Sequence, residues 1–152
     1  MEAPRPPSLT VLDASALVAL MRDEPARAQV EAMMRRRPPP LVSAVNLVEV
    51  IEKMIRGAGR TPEEVNDAVD LLIVGGLEVM PFWLPDARTA AAIRARLYHR
   101  TQSSLSLADC ACLATAVRER ASLATTDPAL ARAARGIGVD VVALPDSSGR
   151  LP

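Results

Sequence analysis

A chain of 152 residues with 49% apolar content suffices for one buried core, since single domains usually span about 100–200 residues. Its 18 basic and 18 acidic residues cancel, so bulk charge points to no particular partner, and any polyanion has to be met by a local basic patch. Aromatic residues at 2% exclude a stacking platform for unpaired bases, and a single histidine, His99, excludes a zinc quartet or a histidine-based nucleophilic site.

In chain order, residues 9–12 read as a short strand that enters a helix over 14–21, with Asp13 at the junction. Asp23, Glu24 and Pro25 predict the acidic, proline-marked start of a second helix reaching residue 36, which the proline-rich stretch 37–40 must break. A strand over 41–43 leads into a helix over 44–56, stopped by Gly57, Ala58 and Gly59. Thr61, Pro62 and Glu64 have the form of a capping box with proline at the first helical position, and predict a helix to residue 73. A strand over 77–82, a helix from Pro85 and Asp86 to residue 100, and a serine-rich turn at 101–104 follow. The remainder reads as a helix over 107–121, a strand over 123–125, a helix over 129–135 stopped by Gly136 and Gly138, and a last strand over 139–144.

Strands that alternate with helices, without hairpin dipeptides between them, predict an α/β fold: a three-layer α/β/α sandwich around a mainly parallel sheet. The domain spans 9–144, between a proline-rich arm at 1–8 expected to be disordered and a flexible tail at 145–152. No signal peptide or membrane-length apolar run is evident, so a soluble, cytoplasmic protein is expected. Cys110 and Cys112, two apart on a helix, point to different faces and read as small buried hydrophobes.

Four acids stand out, each with an ordinary explanation. Asp13 and Asp127 fall where predicted strands hand over to helices, which suits helix caps. In parallel sheets it is also where ligands bind. Asp109 lies three residues after Ser106, the spacing of a capping box, yet the apolar residues from Leu107 to Ala114 surround it on every face. Glu49 falls on the side of its helix opposite the stripe of Ala44, Leu47, Ile51 and Ile55, together with Asn46, which suits plain exposure to solvent. If the four converged they would repel by roughly 4 kcal/mol per pair at about 4 Å and an effective dielectric near 20, so the cluster needs cations. Oxygen-only ligands point to Mg2+, with Mn2+ as the substitute, and to phosphodiester hydrolysis.

The segments Thr10-Val11-Leu12-Asp13-Ala14-Ser15, Ser43-Ala44-Val45-Asn46-Leu47-Val48-Glu49, Ser106-Leu107-Ala108-Asp109 and Leu123-Ala124-Thr125-Thr126-Asp127 resemble, in order and spacing, the four motifs of PIN-domain VapC toxins. The likeness runs from about residue 9 to 144; Ala14 stands where threonine is commoner, and Leu130 where an aromatic residue is frequent. It implies a Mg2+-dependent endoribonuclease, cytoplasmic and homodimeric, held inactive by a VapB-like antitoxin. It further implies that Asp13 and Asp109 hold the metal, that Asp127 acts through water or a second ion, and that Glu49 orients or deprotonates the attacking water. Ser15 and Thr125 are then supporting hydroxyls, though capping or strand packing explains them equally well.

Two other readings stay open. Asp13 followed by Ala14 and Ser15 loosely resembles the nucleophile motif of haloacid-dehalogenase-like phosphotransferases, without its second aspartate. The fold could also serve as a catalytically silent binding module. Arg35, Arg36, Arg37, Arg56 and Arg60 flank the segments that carry Glu49 and are the expected grip on RNA phosphates.

Overall fold

The structure, a computed structural model, describes residues 9–99 and 104–152. The predicted arm at 1–8 and residues 101–103 of the predicted turn lie outside the described residues. The elements run β1 (Thr10–Leu12), α1 (Ala14–Met21), α2 (Arg27–Met34), β2 (Leu41–Ser43), α3 (Ala44–Ala58), α4 (Pro62–Val74), β3 (Glu78–Met80), α5 (Leu84–Leu97), α6 (Leu107–Glu119), β4 (Ser122–Thr125), α7 (Pro128–Gly136) and β5 (Val141–Ala143).

The four pairings among the five described strands are parallel and the sheet order is β3-β2-β1-β4-β5, so the expected parallel sandwich is what forms. The period of two along each strand divides the core. Val11, Leu41 and Leu123, paired in register, face one layer with residues of α5, α6 and α7. Leu12, Val42 and Ala124 face the other, built from α1 to α4. Burial on both faces is what parallel strands require.

The sequence reading and the structure differ where local sterics override composition. Helix α2 begins at Arg27, not at Asp23: Asp23 takes a left-handed φ of 56° and the Glu24 amide bonds back to the Ala19 carbonyl at 2.9 Å. Pro25 therefore sits in a turn ahead of the helix. The strands predicted over 77–82 and 139–144 contract to three residues each, the length of β1 and β2. Helix α6 stops at Glu119, two residues early, because Arg120 adopts a left-handed φ of 50°. Residues 145–152, expected as a flexible tail, include a turn in which Asp146 Oδ1 accepts from the amides of Ser148 and Arg150 at 2.8 and 2.9 Å.

Other local signals act as read. Thr61 and Glu64 form the reciprocal capping box of α4, at 3.2 and 2.9 Å. Asp86, 2% exposed, accepts from the Trp83 amide and pairs with Arg118, which also donates to the Pro81 carbonyl. This charge-assisted contact pins the start of α5 to the end of α6.

Leu123 is fully buried on the strand beside β1. Leu123→Ala is expected to cost about 2–5 kcal/mol by transfer and cavity terms, against about 1 kcal/mol for Thr61→Ala at the exposed box. Urea melts of the two variants check this; similar costs would show that β4 repacks around the lost side chain.

Candidate active site

The chain leaves β1 to build β2 and β3 on one side of it, then returns to add β4 and β5 on the other. The order therefore reverses between β1 and β4, and a crevice opens beyond their carboxyl ends. Asp13 follows β1 at once, and Asp127 follows β4 by two residues.

Asp13 occupies the N-cap position of α1 but makes no cap with its side chain. Its amide extends the ladder to the Ala124 carbonyl at 3.0 Å, which turns the carboxylate inward. There it accepts from Ser15 Oγ at 2.8 Å and Thr125 Oγ1 at 3.0 Å, with Asn46 Nδ2 at 3.5 Å. Thr125 Oγ1 in turn accepts the Asp127 amide and Ser15 Oγ the Thr126 amide, so the two hydroxyls stitch the ends of β1 and β4 together. The residue is 4% exposed. Burial is the main reason its pKa rises from 3.8 to about 6; the Ser15 hydrogen bond opposes the rise, the Asp109 charge adds to it, Thr125 opposes and Glu49 adds.

The other three acids each hold an ordinary structural contact as well. Asp109 completes a capping box on α6: its Oδ2 accepts from the Ser106 amide at 2.7 Å while its own amide donates to Ser106 Oγ at 3.0 Å. Asp127 caps α7, with Oδ1 accepting from Ala129 and Leu130 at 2.7 and 3.3 Å. Glu49, on α3, takes Lys53 Nζ on Oε1 at 2.8 Å. Its Oε2 is buried without a hydrogen-bond partner among the described residues, as is Asn46 Oδ1.

Each of the four acids lies within reach of another's charge, with Asp109 as the link to Asp127. Asp13 feels Asp109 and Glu49; Asp109, raised chiefly by burial and held back by its Ser106 bonds, feels Asp127 and Glu49. The fully buried Cys112 thiol is pushed well up, first by burial and then by Asp13, Asp109 and Glu49, which leaves it an inert neighbour beneath them.

Helix α3 corrects the expectation for Glu49. Its buried line is Asn46, Val50 and Met54, while Leu47, Ile51 and Ile55 are only partly covered. Glu49 thus flanks the inner face and is 27% exposed, not turned to solvent. Asn46 donates to the Ala108 carbonyl at 3.2 Å, tying α3 to α6. Two residues of this site escaped the sequence reading in that role: Asn46, visible only as sharing a side with Glu49, and Lys53, the one lysine of the chain and four residues beyond Glu49. The arginine cluster also divides. Arg35, Arg36 and Arg37 precede β2 and so lie at the amino end of the sheet, opposite the acids, where Arg37 borders a cavity with Gly76 and Glu78.

Among the described residues no three acid, cysteine or histidine side chains are gathered tightly enough to enclose an ion as they stand. The causes are visible in the contacts: Ser106, the α7 amides and Lys53 each draw one carboxylate aside. The donor set nonetheless fits a hard divalent cation. It is all oxygen, two of its buried oxygens lack partners, and its two most perturbed acids resist ionising together.

A parallel α/β/α sandwich with carboxylates gathered at the switch point of its sheet is the class that these features define. The chain belongs to the PIN domain family, which it matches over residues 10–136. No curated protein sequence matches it. Its fold is similar to that of DNA-bound VapBC from Salmonella typhimurium, at 20% identity and TM-score 0.69, covering 90% of this chain and 98% of that one. It is also similar to VapBC-1 of nontypeable Haemophilus influenzae, at 15% and 0.67, covering 88% and 96%. A third is the sarcin-ricin-loop-cleaving VapC toxin of Mycobacterium tuberculosis, at 15% and 0.65, covering 82% and 94%. At such identities the likeness establishes the fold alone.

A carboxyl whose folded pKa of about 6 exceeds its ordinary 3.8 carries no penalty where it is protonated in both states, and the full one above pH 6. That penalty is on the order of 3 kcal/mol. In EDTA, Asp13→Asn is therefore expected to melt above the wild type at pH 7.5, with the gap closing as pH falls toward 4. A variant that melts below the wild type at pH 7.5 would show that the Ser15 and Thr125 contacts outweigh the buried charge.

Proposed function

We propose that this chain is the toxin component of a VapBC-type toxin–antitoxin pair, a divalent-metal-dependent endoribonuclease of the cytoplasm. The observation that carries this is the convergence of Asp13, Glu49, Asp109 and Asp127, from four separate segments, on one rim of a PIN domain. Asp13 and Asp109 would hold the cation, Mg2+ or Mn2+, and Asp127 would support it from the end of β4. When bound, the cation supplies electrostatic stabilisation of the charge that develops on the phosphoryl oxygens.

The remaining steps belong to the chain. Glu49 takes a proton from the attacking water as its oxygen bonds to phosphorus, the ester P–O bond opposite breaks, and the leaving oxygen takes its proton from solvent. Ser15 and Thr125 fix the orientation of Asp13, and Asn46 holds α3 against α6 so that Glu49 stays level with it. An aspartyl nucleophile is disfavoured, because the second aspartate of the dehalogenase-like motif is replaced by Ser15, whose hydroxyl is spent on Asp13 itself.

An antitoxin and a second copy of the chain are the proposed partners. The similar folds of Salmonella and Haemophilus proteins are those of VapBC complexes. The outer faces of α3 and α4 expose Val48, Leu71 and Val74, apolar surface of the kind that partners cover. Among the described residues no helix is long and apolar enough to cross a membrane.

Purified protein is expected to cleave total RNA in Mg2+ or Mn2+ and to stop in EDTA. Glu49→Gln is expected to slow cleavage by about 10²–10⁴-fold, the usual contribution of a general base. Asp109→Asn is expected to abolish cleavage at little cost in stability, since an asparagine oxygen still accepts the Ser106 amide. Full cleavage in EDTA, or by both variants in Mg2+, removes the four-acid mechanism, and a protein that cleaves no RNA under any condition is left as a binding module.

A further inference from the structure

Beside the acid cluster, an open cavity of about 470 Å3 lies between the end of α1 and the last turns of α3, lined by Arg22, Glu52, Lys53, Arg56 and Gly57. We propose that this cavity is a phosphate subsite that holds the RNA backbone next to the scissile linkage; it rests on the nuclease reading and adds to it where the strand lies.

Lys53 joins the two sites. It forms one wall of the cavity, its ammonium rests 2.8 Å from Glu49 Oε1, and the charges of Asp13 and Asp109 also reach it. A phosphate in the cavity is therefore next to the acids by way of a single side chain. The walls carry three cations against one anion, and that anion, Glu52, is already paired with Arg56 four residues on. Arg22 meets Glu24 only at 3.9 Å, which leaves most of its fork of donors for a ligand. Arg22 and Arg56 side chains are 44% and 80% exposed, so a strand reaches them without rearrangement.

Gly57 keeps the space open. It is helical, where glycine costs about 1 kcal/mol relative to alanine, and it has no left-handed φ to explain its use. A Cβ there would stand 3.9 Å from the Arg22 guanidinium, in ordinary contact with it, so the glycine leaves the Arg22 donors uncovered on this side. A simpler role for these arginines is to complement the carbonyl ends of α1 and α3. Arg60 already serves α1 in that way, donating to the Met21 carbonyl at 3.3 Å, which leaves Arg22 over. A strand drawn toward four carboxylates needs positive charge at the point of entry, and this cavity supplies it.

The test uses the full chain with Asp13→Asn as a background that does not cut, and a fluorescein-labelled 20-nucleotide single-stranded RNA of mixed sequence in Mg2+. Fluorescence anisotropy over a KCl series is expected to show that Arg22→Gln and Arg56→Gln each weaken binding several-fold. Each should also flatten the slope of log Kd against log salt by about 0.7, the value for one contact to a single strand. Gly57→Glu should weaken binding more, whereas Arg135→Gln, at the far end of α7, should match the parent. In the active chain the cavity variants should raise KM and leave kcat near the wild-type value. Variants whose melting temperature falls while affinity and salt slope stay at the parent values would assign the arginines to helix ends and overturn the subsite, with the nuclease reading standing. A wild type that neither binds nor cleaves RNA overturns both.

Discussion

Placing Asp13 at the carboxyl end of the central strand puts a charge where water barely reaches, and much of the surrounding sequence is explained by that constraint. The first turn of α1 and the end of β4 carry the hydroxyls of Ser15 and Thr125, aimed at the carboxylate and not at solvent. The facing helix presents Asn46 in a position that a hydrophobe would fill if packing alone mattered. These donors lower the cost of the charge without removing it, since burial still holds the carboxyl well above its ordinary range. A fold that keeps such a group ionised at neutral pH gives up stability that a cation can restore.

Two of the acids do double duty, and the opposition between cap and site dissolves in the structure. Asp109 and Asp127 each begin a helix with hydrogen bonds of good length, and each also contributes to the field at the rim. A helix start delivers a carboxylate to a fixed place, and an N-terminal macrodipole tolerates its charge. The same residue types therefore satisfy local helix chemistry and the proposed catalytic one, which is why neither acid announces its role alone.

The legible parts of the sequence were those with local causes. The helix from Ala14 to Met21, the strand from Leu41 to Ser43 and the Thr61 box follow from periodicity and capping within a few residues, and the parallel sheet from the alternation of elements. Illegible were features decided by distant partners. Whether Val50 or Ile51 faces inward depends on where α6 lies, and nothing within α3 reveals it. Arg35 to Arg37 adjoin the acid-bearing segments in sequence but lie at the opposite end of the sheet, because a strand of three residues is enough to carry the chain from one rim to the other. Asp23 closes the turn ahead of α2 with a left-handed backbone, where composition favours a helix start.

The stitching of β1 to β4 by Ser15 and Thr125 has a dynamic consequence. These strands lie at the centre of the sheet, and local opening events in proteins seldom reach such positions short of global unfolding. Asp13 and its hydroxyl partners are thus tied to the central strands, where opening costs most of the fold's stability. The proposed antitoxin would therefore act on such a centre by covering the rim and not by pulling it apart.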